Sequence, residues 1–287
     1  MPSLANHQSN QFVKLLLSGD SGSGKSGALA SLVGAGYKLR ILDLDNGLDA
    51  LKSYVEKDYP DKLNEVEFRT LRDNYKTTGA GVLVDKPTAW VNTMKMLDRW
   101  QYKVADVPNT AGMFEEVVDL GAPSAFGPDV IVVLDSLTFA SDAAFDWAKG
   151  MNPGAKDPRQ WFYTAQQQIE SMLALLSSSS FKTNVIVCSH IRYSTNDDGT
   201  NKGYPNAVGS ALGPTIPRYF NHWAQCNNKA GKRTIQTAAT STMDLKNTKP
   251  FEMKATYDLG TGLAEFFAVL RDPPAREKPK SVTLVRK

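Results

Sequence analysis

The stretch LLLSGDSGSGKSGALASL, residues 15–32, constrains the fold of this chain more than any other feature. An apolar run, expected to form a buried strand over residues 12–18, leads into a loop rich in glycine and serine. Apolar residues then recur at helical spacing until Gly34 and Gly36, which end the expected helix. A strand, a glycine loop and a helix in this order form the framework of a phosphate-binding loop.

The loop also carries the chemistry that such a site requires. Gly19 and the run Gly24-Lys25-Ser26 fit the spacing G-x-x-x-x-G-K-[ST]. In this pattern backbone N–H groups face the phosphates, the lysine contacts the β- and γ-phosphates, and the hydroxyl ligates Mg²⁺. A flexible linker would need neither Lys25 nor Ser26 at the start of a helix. The helix dipole favours an anion at this position, so a phosphate site is the better interpretation. The predicted nucleotide-binding residues are Gly19, Asp20, Ser21, Gly22, Ser23, Gly24, Lys25, Ser26 and Gly27.

A second motif lies at the end of the apolar run VIVVLD. Asp135 closes this run, whose β-branched residues are typical of a strand buried on both faces of a parallel sheet. An acid at the carboxyl end of such a strand, near the phosphate loop, holds Mg²⁺ in nucleotide-hydrolysing proteins. The alternative is that Asp135 only caps the next helix. Together, Ser26 and Asp135 predict a site for Mg²⁺ beside ATP.

The remaining pattern predicts an α/β fold with a mostly parallel central sheet flanked by helices. Helical spacing over residues 88–102 and 169–176 alternates with apolar runs such as NVIVCSH. From about Gly231 the pattern changes to the short runs TIQTAAT, MKATYD and AEFFAVL, which favour an antiparallel extension of the same sheet. We therefore expect an ATPase core over residues 12–270, preceded by a flexible N-terminus over residues 1–11.

Composition and charge indicate where this protein is located and how its tail and its cysteines behave. No stretch approaches the roughly 20 apolar residues of a membrane span, and the polar N-terminus lacks the order of a signal peptide, so we expect a cytoplasmic protein. The net charge is +3, and the tail over residues 271–287 carries six basic and two acidic residues. This tail is expected to be disordered, with an electrostatic arm for nucleic acid as the alternative. Cys188 and Cys226 lack metal-ligand spacing and are expected to be structural thiols.

The acids that follow the second expected strand resemble the RecA family. LDLDNGLDAL offers Asp43, Asp45 and Asp49, where the family has Asp-x-Glu, two further residues and a Leu-Asp pair. The resemblance places the water-orienting glutamate of the family at Asp45, on a strand expected beside the phosphate strand. Because aspartate is one methylene shorter than glutamate, slow hydrolysis of ATP is implied.

The resemblance continues in order over residues 12–251. PDVIVVLDSLT is similar to the second nucleotide motif of the family, VIVCSHIR to a strand ending Asn-Gln-Ile-Arg, and VGSALGPTIPRYF to a Gly-Gly-x-Ala-Leu segment. His190 takes the place of the glutamine that senses the γ-phosphate. The alternative is that this histidine, at the end of a strand, only forms hydrogen bonds with backbone groups. Small phage recombinases reduced to this core, described as RecA-like single-strand annealing proteins, share this architecture and size.

The family places two loops along the axis of its filament, and both have counterparts here. They cover residues 149–160 and 192–209, and each combines cations with aromatic rings, which for the first loop means Trp161 directly after it. Cations suit the phosphates of single-stranded DNA, and rings stack against its bases. Asp197 and Asp198 favour the alternative of exposed loops without a DNA role. The residues implied in DNA binding are Lys149, Lys156, Arg159, Arg192, Tyr193, Lys202 and Tyr204.

The segment TMDLKNTKPFE resembles the Lys-Asn-Lys run that precedes Pro-Phe in the family, whose lysines reach the nucleotide of a neighbouring subunit. Lys246 is the closer match, and a plain surface cation is the alternative for Lys249. The resemblance therefore implies a homo-oligomer, as a filament or a ring. The catalytic residues that it implies are Lys25, Asp45, His190 and Lys246.

The leading functional hypothesis is an ATP-dependent recombinase core that binds single-stranded DNA and promotes annealing or strand exchange. A single-strand-binding protein is a candidate partner. A hexameric helicase-type motor shares the same core and is the first alternative. A P-loop small-molecule kinase is disfavoured because the sequence lacks an evident arginine-rich lid. A regulatory ATPase without DNA activity is the remaining alternative, and DNA-stimulated turnover would distinguish it.

Overall fold

The computed structural model describes residues 11–103, 117–195 and 199–271. Within them, an eight-stranded sheet is covered by helices on both faces, and six adjacent strands run parallel. The predicted α/β class with a mostly parallel central sheet is confirmed. The tail over residues 272–287 and nearly all of the expected flexible N-terminus lie outside the described residues.

The strands and helices follow the apolar runs of the sequence. The strands are β1 (Lys14–Gly19), β2 (Lys38–Asp43), β3 (Val66–Thr70), β4 (Asn74–Thr78), β5 (Gly81–Lys86), β6 (Gln101–Lys103), β7 (Val117–Asp119), β8 (Gly127–Asp135), β9 (Thr183–Ser189), β10 (Ile191–Thr195), β11 (Asn201–Pro205), β12 (His222–Lys229), β13 (Lys232–Gln236) and β14 (Thr256–Asp258). The helices are α1 (Lys25–Ala28), α2 (Ala30–Gly34), α3 (Asp49–Asp58), α4 (Ala89–Asp98), α5 (Leu137–Met151), α6 (Arg159–Ser177) and α7 (Leu259–Leu270).

The order of strands across the main sheet is β14-β13-β12-β1-β9-β8-β2-β3. The expectation that the acid-bearing strand β2 lies beside the phosphate strand β1 is wrong, because β9 and β8 both lie between them. The carboxyl ends of parallel strands nevertheless meet at one edge of a sheet. Gly19, Asp43 and Asp135, which end β1, β2 and β8, therefore share that edge.

Two apolar layers hold the sheet between the helices. Every residue of β1 and of β9 is buried, as expected for central parallel strands covered on both faces. Leu15 and Leu17 belong to the layer that includes α1, α2 and α7, whereas Leu16 belongs to the layer under α4, α5 and α6. Both cysteines are free and buried, and burial raises the pKa of the Cys226 thiol to about 12.

The C-terminal part of the core differs in one element from the expectation. β13 and β14 form the expected antiparallel extension, but AEFFAVL belongs to the helix α7 and not to a strand. The buried residues Leu259, Leu263, Phe266 and Phe267 follow helical spacing. The nearly continuous apolar run over residues 264–270 hides this period when it is considered alone.

Three two-stranded hairpins supplement the main sheet, namely β4–β5, β6–β7 and β10–β11. The last of them lies in the second segment implied in DNA binding, so that much of this segment is paired strand and not open loop.

The helix expected over residues 88–102 is shorter, since α4 ends at Asp98. No described helix has the length and apolar character that would let it cross a membrane.

Lys14 is a buried cation at the amino end of β1, opposite the edge at which the phosphate loop lies. Its ammonium group donates to the carbonyl oxygens of Phe181 and Thr183 at 2.8 Å each and lies 4.6 Å from the centroid of the Phe181 ring. Burial lowers the pKa of this amine to about 7. The lysine closes the end of the sheet with hydrogen bonds that a neutral amine can also donate.

We expect the contribution of Lys14 to the free energy of unfolding to increase from pH 7 to pH 10. Across this window the unfolded chain, with a pKa of about 10.4 for lysine, binds more protons than the folded chain, so that stability rises with pH. The substitution Lys14→Met removes this dependence. The free energy of unfolding of wild type minus that of Lys14→Met should therefore increase by at least about 1 kcal/mol from pH 7 to pH 10. Urea denaturation at both pH values measures it. Lys57→Met, at an exposed position on α3, is the control, and parallel pH profiles for wild type and Lys14→Met would contradict the assignment.

Candidate functional site

The phosphate loop connects β1 to α1 with the backbone that the motif requires. Gly22 and Gly24 have φ angles of 73° and 99°, in the left-handed region that favours glycine. The N–H of Ser23 donates to the carbonyl oxygen of Asp20 at 3.1 Å and closes the turn. The loop is therefore compact and leads directly into the first turn of α1.

Lys25 lies inside this loop and is buried. Its ammonium group donates to the carbonyl oxygens of Gly19 at 2.9 Å and Asp20 at 3.2 Å. A lysine ammonium has three N–H donors and no acceptor, so phosphate oxygens are natural partners for it. The predicted role of Lys25 in contacting phosphates is compatible with this position.

Ser26 and Asp135 meet as the two motifs predict, although they are far apart in the sequence. The Ser26 hydroxyl donates to Oδ2 of Asp135 at 2.7 Å. Asp135 is fully buried, and its Oδ1 has no hydrogen-bond partner among the described residues. Burial first, and then the charge of Asp45, raise the pKa of Asp135 to about 7. A buried carboxylate oxygen without a partner beside a hydroxyl is a donor set that fits Mg²⁺, which prefers oxygen ligands.

Asp43 and Asp45 have different surroundings, although they are separated by a single residue. Asp43 is buried and accepts hydrogen bonds from the N–H of Asn46 at 2.8 Å and from the Thr70 hydroxyl at 2.9 Å. Asp45 lines the cleft, and its Oδ1 has no partner among the described residues. Burial is the main cause that raises the pKa of Asp45. The choice of Asp45 as the acid that orients water stays a prediction, and this geometry is compatible with it.

A cleft of about 330 Å³ lies over the phosphate loop. It brings together the predicted residues Lys25, Ser26, Asp45 and His190, which come from three separate parts of the chain. Four of its lining residues were not predicted from the sequence: Gly47 and Ala50 lie beside the acids of LDLDNGLDAL without a recognisable role, and Tyr54 and Arg233 belong to no motif. The lining residues are Ser21, Gly22, Gly24, Lys25, Ser26, Gly27, Asp45, Gly47, Ala50, Tyr54, His190 and Arg233.

His190 connects the cleft to the hairpin β10–β11. Its backbone N–H donates to the Thr138 hydroxyl at 3.1 Å, and its carbonyl accepts from the N–H of Asn206 at 2.8 Å. The imidazole packs edge-on against Phe139, with ring centroids 6.0 Å apart, and burial followed by the charge of Lys25 lowers its pKa. The backbone N–H and carbonyl of His190 thus both have partners. Its ring forms part of the cleft wall, and the residue directly precedes β10.

The hairpin distributes the predicted DNA-binding residues over two faces. Arg192 pairs with Tyr204, and Lys202 pairs with Ser194, so that these side chains share one face. Tyr193 pairs with Gly203 and projects from the opposite face. The Lys202 ammonium forms an ion pair with Asp244 at 2.5 Å, and Arg192 donates to the carbonyl oxygen of Gly209 at 3.4 Å.

The first segment implied in DNA binding runs from the end of α5 to the start of α6, with Lys149 in the last turn of α5 and Arg159 as the first residue of α6. Lys149, Lys156 and Arg159 are all exposed. Lys149 lies 6.0 Å from the centroid of the Trp161 ring, and Arg159 forms an ion pair with Asp157 at 2.7 Å. The segment thus has the predicted combination of cations and rings, and one of its cations already has an acidic partner.

Lys246 lies apart from the cleft of its own chain. Its backbone pairs with Trp223 near the start of β12, and its side chain is exposed. Lys249 is paired with Glu252 at 3.1 Å. A role of Lys246 at the nucleotide of a neighbouring copy stays a prediction, and the position of this lysine outside the cleft is compatible with it.

Comparison with known proteins connects this geometry to a family. The AAA domain family matches residues 11–249, while no curated protein matches the chain. Among solved structures, the chain is similar to the RadB recombinase, with 15% identity and a TM-score of 0.44 over 87% of this chain and 89% of that one. It is also similar to an ATPase from the type III secretion system of pathogenic bacteria, with 13% identity and a TM-score of 0.37 over 74% of this chain and 50% of that one. With its family match covering most of the sequence and its phosphate loop in place, the chain belongs to the AAA domain family of P-loop ATPases.

Proposed function

We propose that this chain hydrolyses ATP in the cleft and uses the bound nucleotide to control binding of single-stranded DNA, as a recombinase core that promotes annealing or strand exchange. The observation that carries the proposal is the position of His190. This residue lines the cleft beside Lys25 and stands one residue before the hairpin that presents Arg192, Lys202 and Tyr204. A change at the phosphates can therefore reach the hairpin through a single side chain.

The chemistry proposed for the cleft divides among four side chains. Lys25 and the loop N–H groups bind the phosphates of ATP. Ser26 and Asp135 are the residues that would hold Mg²⁺, which neutralises phosphate charge when it is bound. Asp45 orients the attacking water and accepts its proton, as a carboxylate can within hydrogen-bond reach. Catalysis then depends mainly on positioning and charge, as is typical of phosphoryl transfer.

The DNA site is proposed on the hairpin face of Arg192, Lys202 and Tyr204, together with the segment that includes Lys149 and Arg159. Cations at this face would contact phosphates, and the Tyr204 ring would stack on a base. In a homo-oligomer, Lys246 of one copy would reach the nucleotide of the next. Because the proposed function acts on single-stranded DNA, a single-strand-binding protein stays a candidate partner.

A regulatory ATPase without DNA activity is a second candidate, and one observation favours it. Lys202 and Arg159 are both already paired with carboxylates, Asp244 and Asp157 respectively. Such pairs reduce the positive charge that these residues offer to a phosphate backbone. The two functions differ in whether single-stranded DNA binds and changes the rate of ATP turnover.

For DNA binding, we expect the double substitution Arg192→Ala with Lys202→Ala to reduce the salt dependence of affinity. Removal of two phosphate contacts should make the slope of log affinity against log salt shallower by about 1.4, at about 0.7 for each contact with a single strand. Tyr204→Ala should weaken binding by about tenfold and keep the slope, because a ring releases no counterions. Titrations of a labelled oligonucleotide at several salt concentrations, with and without a non-hydrolysable ATP analogue, measure both effects.

The control for this experiment is Lys57→Ala on α3, which removes an exposed cation away from the hairpin. Deletion of residues 272–287 tests whether the basic tail supplies the attraction instead. If the tail deletion abolishes binding while the hairpin variants behave as wild type, the hairpin is not the DNA site. If no nucleotide state of wild type binds the oligonucleotide, the regulatory ATPase becomes the better account.

A further inference from the structure

Arg233 is the one cation besides Lys25 among the described residues that line the nucleotide cleft. It lies on β13, in the antiparallel extension, where it pairs with Asn228 of β12. No part of the phosphate-loop or second acid motif includes it, since it is more than 200 positions away from the loop. The strand extension, and not a motif, therefore brings this guanidinium to the cleft.

The orientation of Arg233 follows from its neighbour on the same face of β13. Ile235 is fully buried and packs against α7, where a Cβ at Gly262 would lie 2.9 Å from its Cδ1. Side chains two residues apart in a strand share a face. Arg233 therefore projects on the side of α7 and the phosphate loop, whereas Lys232 projects on the opposite side.

Contacts with the loop fix the stem of the side chain. The Nε of Arg233 donates to the carbonyl oxygen of Gly22 at 3.4 Å. A Cβ at Gly24 would lie 3.1 Å from Cδ of Arg233 and 2.9 Å from Cδ2 of Leu259. The absence of a side chain at Gly24 is thus what lets the arginine and the start of α7 lie directly against the loop.

The charge of Arg233 is available for a ligand. Its side chain is exposed, and no described carboxylate forms an ion pair with it. A guanidinium has five N–H donors in a planar fork, of which the structure gives one long bond to Gly22. That fork matches two oxygens of a phosphate group, which is why arginine is frequent in phosphate recognition.

We propose that Arg233 is a phosphate-binding residue of the nucleotide site, contacting the polyphosphate chain from the β13 side while Lys25 contacts it from inside the loop. The proposal rests on the proposed function, since it assumes that the cleft binds a nucleoside polyphosphate. It gives the antiparallel extension a direct part in binding. Without this extension, the cleft would lack its only cation from outside the loop among the described residues.

The test measures binding of fluorescent ATP and ADP analogues, with Mg²⁺, to wild type, Arg233→Gln, Arg233→Lys and Lys232→Gln. Loss of a charged hydrogen bond should weaken binding to Arg233→Gln by about tenfold and make affinity less dependent on salt. Arg233→Lys keeps the charge without the fork, so its affinity should lie between the two. Lys232→Gln removes the adjacent charge from the opposite face and should bind as wild type does.

Three other results would contradict the proposal, and they differ in which proteins bind the analogues. Equal affinity of wild type and Arg233→Gln would overturn the role of Arg233 and leave the nucleotide site intact. Equal losses in Arg233→Gln and Lys232→Gln would overturn it in favour of a general surface charge. A wild-type protein that binds neither analogue would overturn both this role and the proposed function. Thermal melts of each variant exclude loss of folding, which is not expected at an exposed position.

Discussion

Replacement of Lys25 by alanine is expected to weaken ATP binding by about a hundredfold or more. The ammonium group lies inside the phosphate loop, and under the proposed function its charged hydrogen bonds to phosphate oxygens would contribute about 1.5–3 kcal/mol each. A loss of about 2.7 kcal/mol corresponds to a hundredfold in affinity. Titration of a fluorescent ATP analogue into both proteins measures the change.

Two comparisons make the Lys25→Ala result specific. Lys52→Ala removes an exposed lysine of α3 that is paired with Glu56 across one helical turn, and should bind as wild type does. Because Lys25 also donates to the carbonyl oxygens of Gly19 and Asp20, melting temperatures of the variants must be measured as well. Equal affinity of folded Lys25→Ala and wild type would mean that the loop is only structural.

The substitution Asp45→Asn is expected to retain ATP binding and to reduce turnover by at least about tenfold. An amide oxygen can still accept a hydrogen bond from water, but it cannot take a proton as a carboxylate does. The measurement is ATP hydrolysis at saturating nucleotide, together with the affinity for the analogue.

Asp43→Asn is the matched comparison, since this carboxylate already accepts from Asn46 and Thr70. The loss of its charge should lower the melting temperature, because these two hydrogen bonds hold the segment after β2. Turnover per folded molecule should change less than in Asp45→Asn. If turnover falls in Asp43→Asn and not in Asp45→Asn, the two roles are reversed.

The parts of the site that could be predicted are those encoded by contiguous motifs. The phosphate loop is local, because glycine conformations and the start of a helix are set by neighbouring residues. Asp135 could be predicted because a fully apolar run marks a central strand and its last residue marks the carboxyl edge. The meeting of Ser26 and Asp135 then follows from the rule that parallel strands end at one edge.

The parts that could not be predicted depend on how separate strands are arranged. The position of β2, separated from β1 by the two strands β9 and β8, is decided by packing of the crossovers and not by its own sequence. Arg233 reaches the cleft only because β13 pairs with β12 in one register, and no local pattern specifies that register. The mistaken strand over residues 264–270 has a local cause, since a nearly continuous apolar run hides the helical period of α7.

The central claim is that ATP turnover in this cleft is coupled to single-stranded DNA. Its most direct test is the rate of ATP hydrolysis by purified wild-type protein with Mg²⁺, measured with and without a single-stranded oligonucleotide. We expect slow turnover that requires Mg²⁺ and rises several-fold with the oligonucleotide, with Asp45→Asn giving the background rate. Turnover at the same rate with and without DNA, at concentrations up to those that saturate any binding, would contradict it.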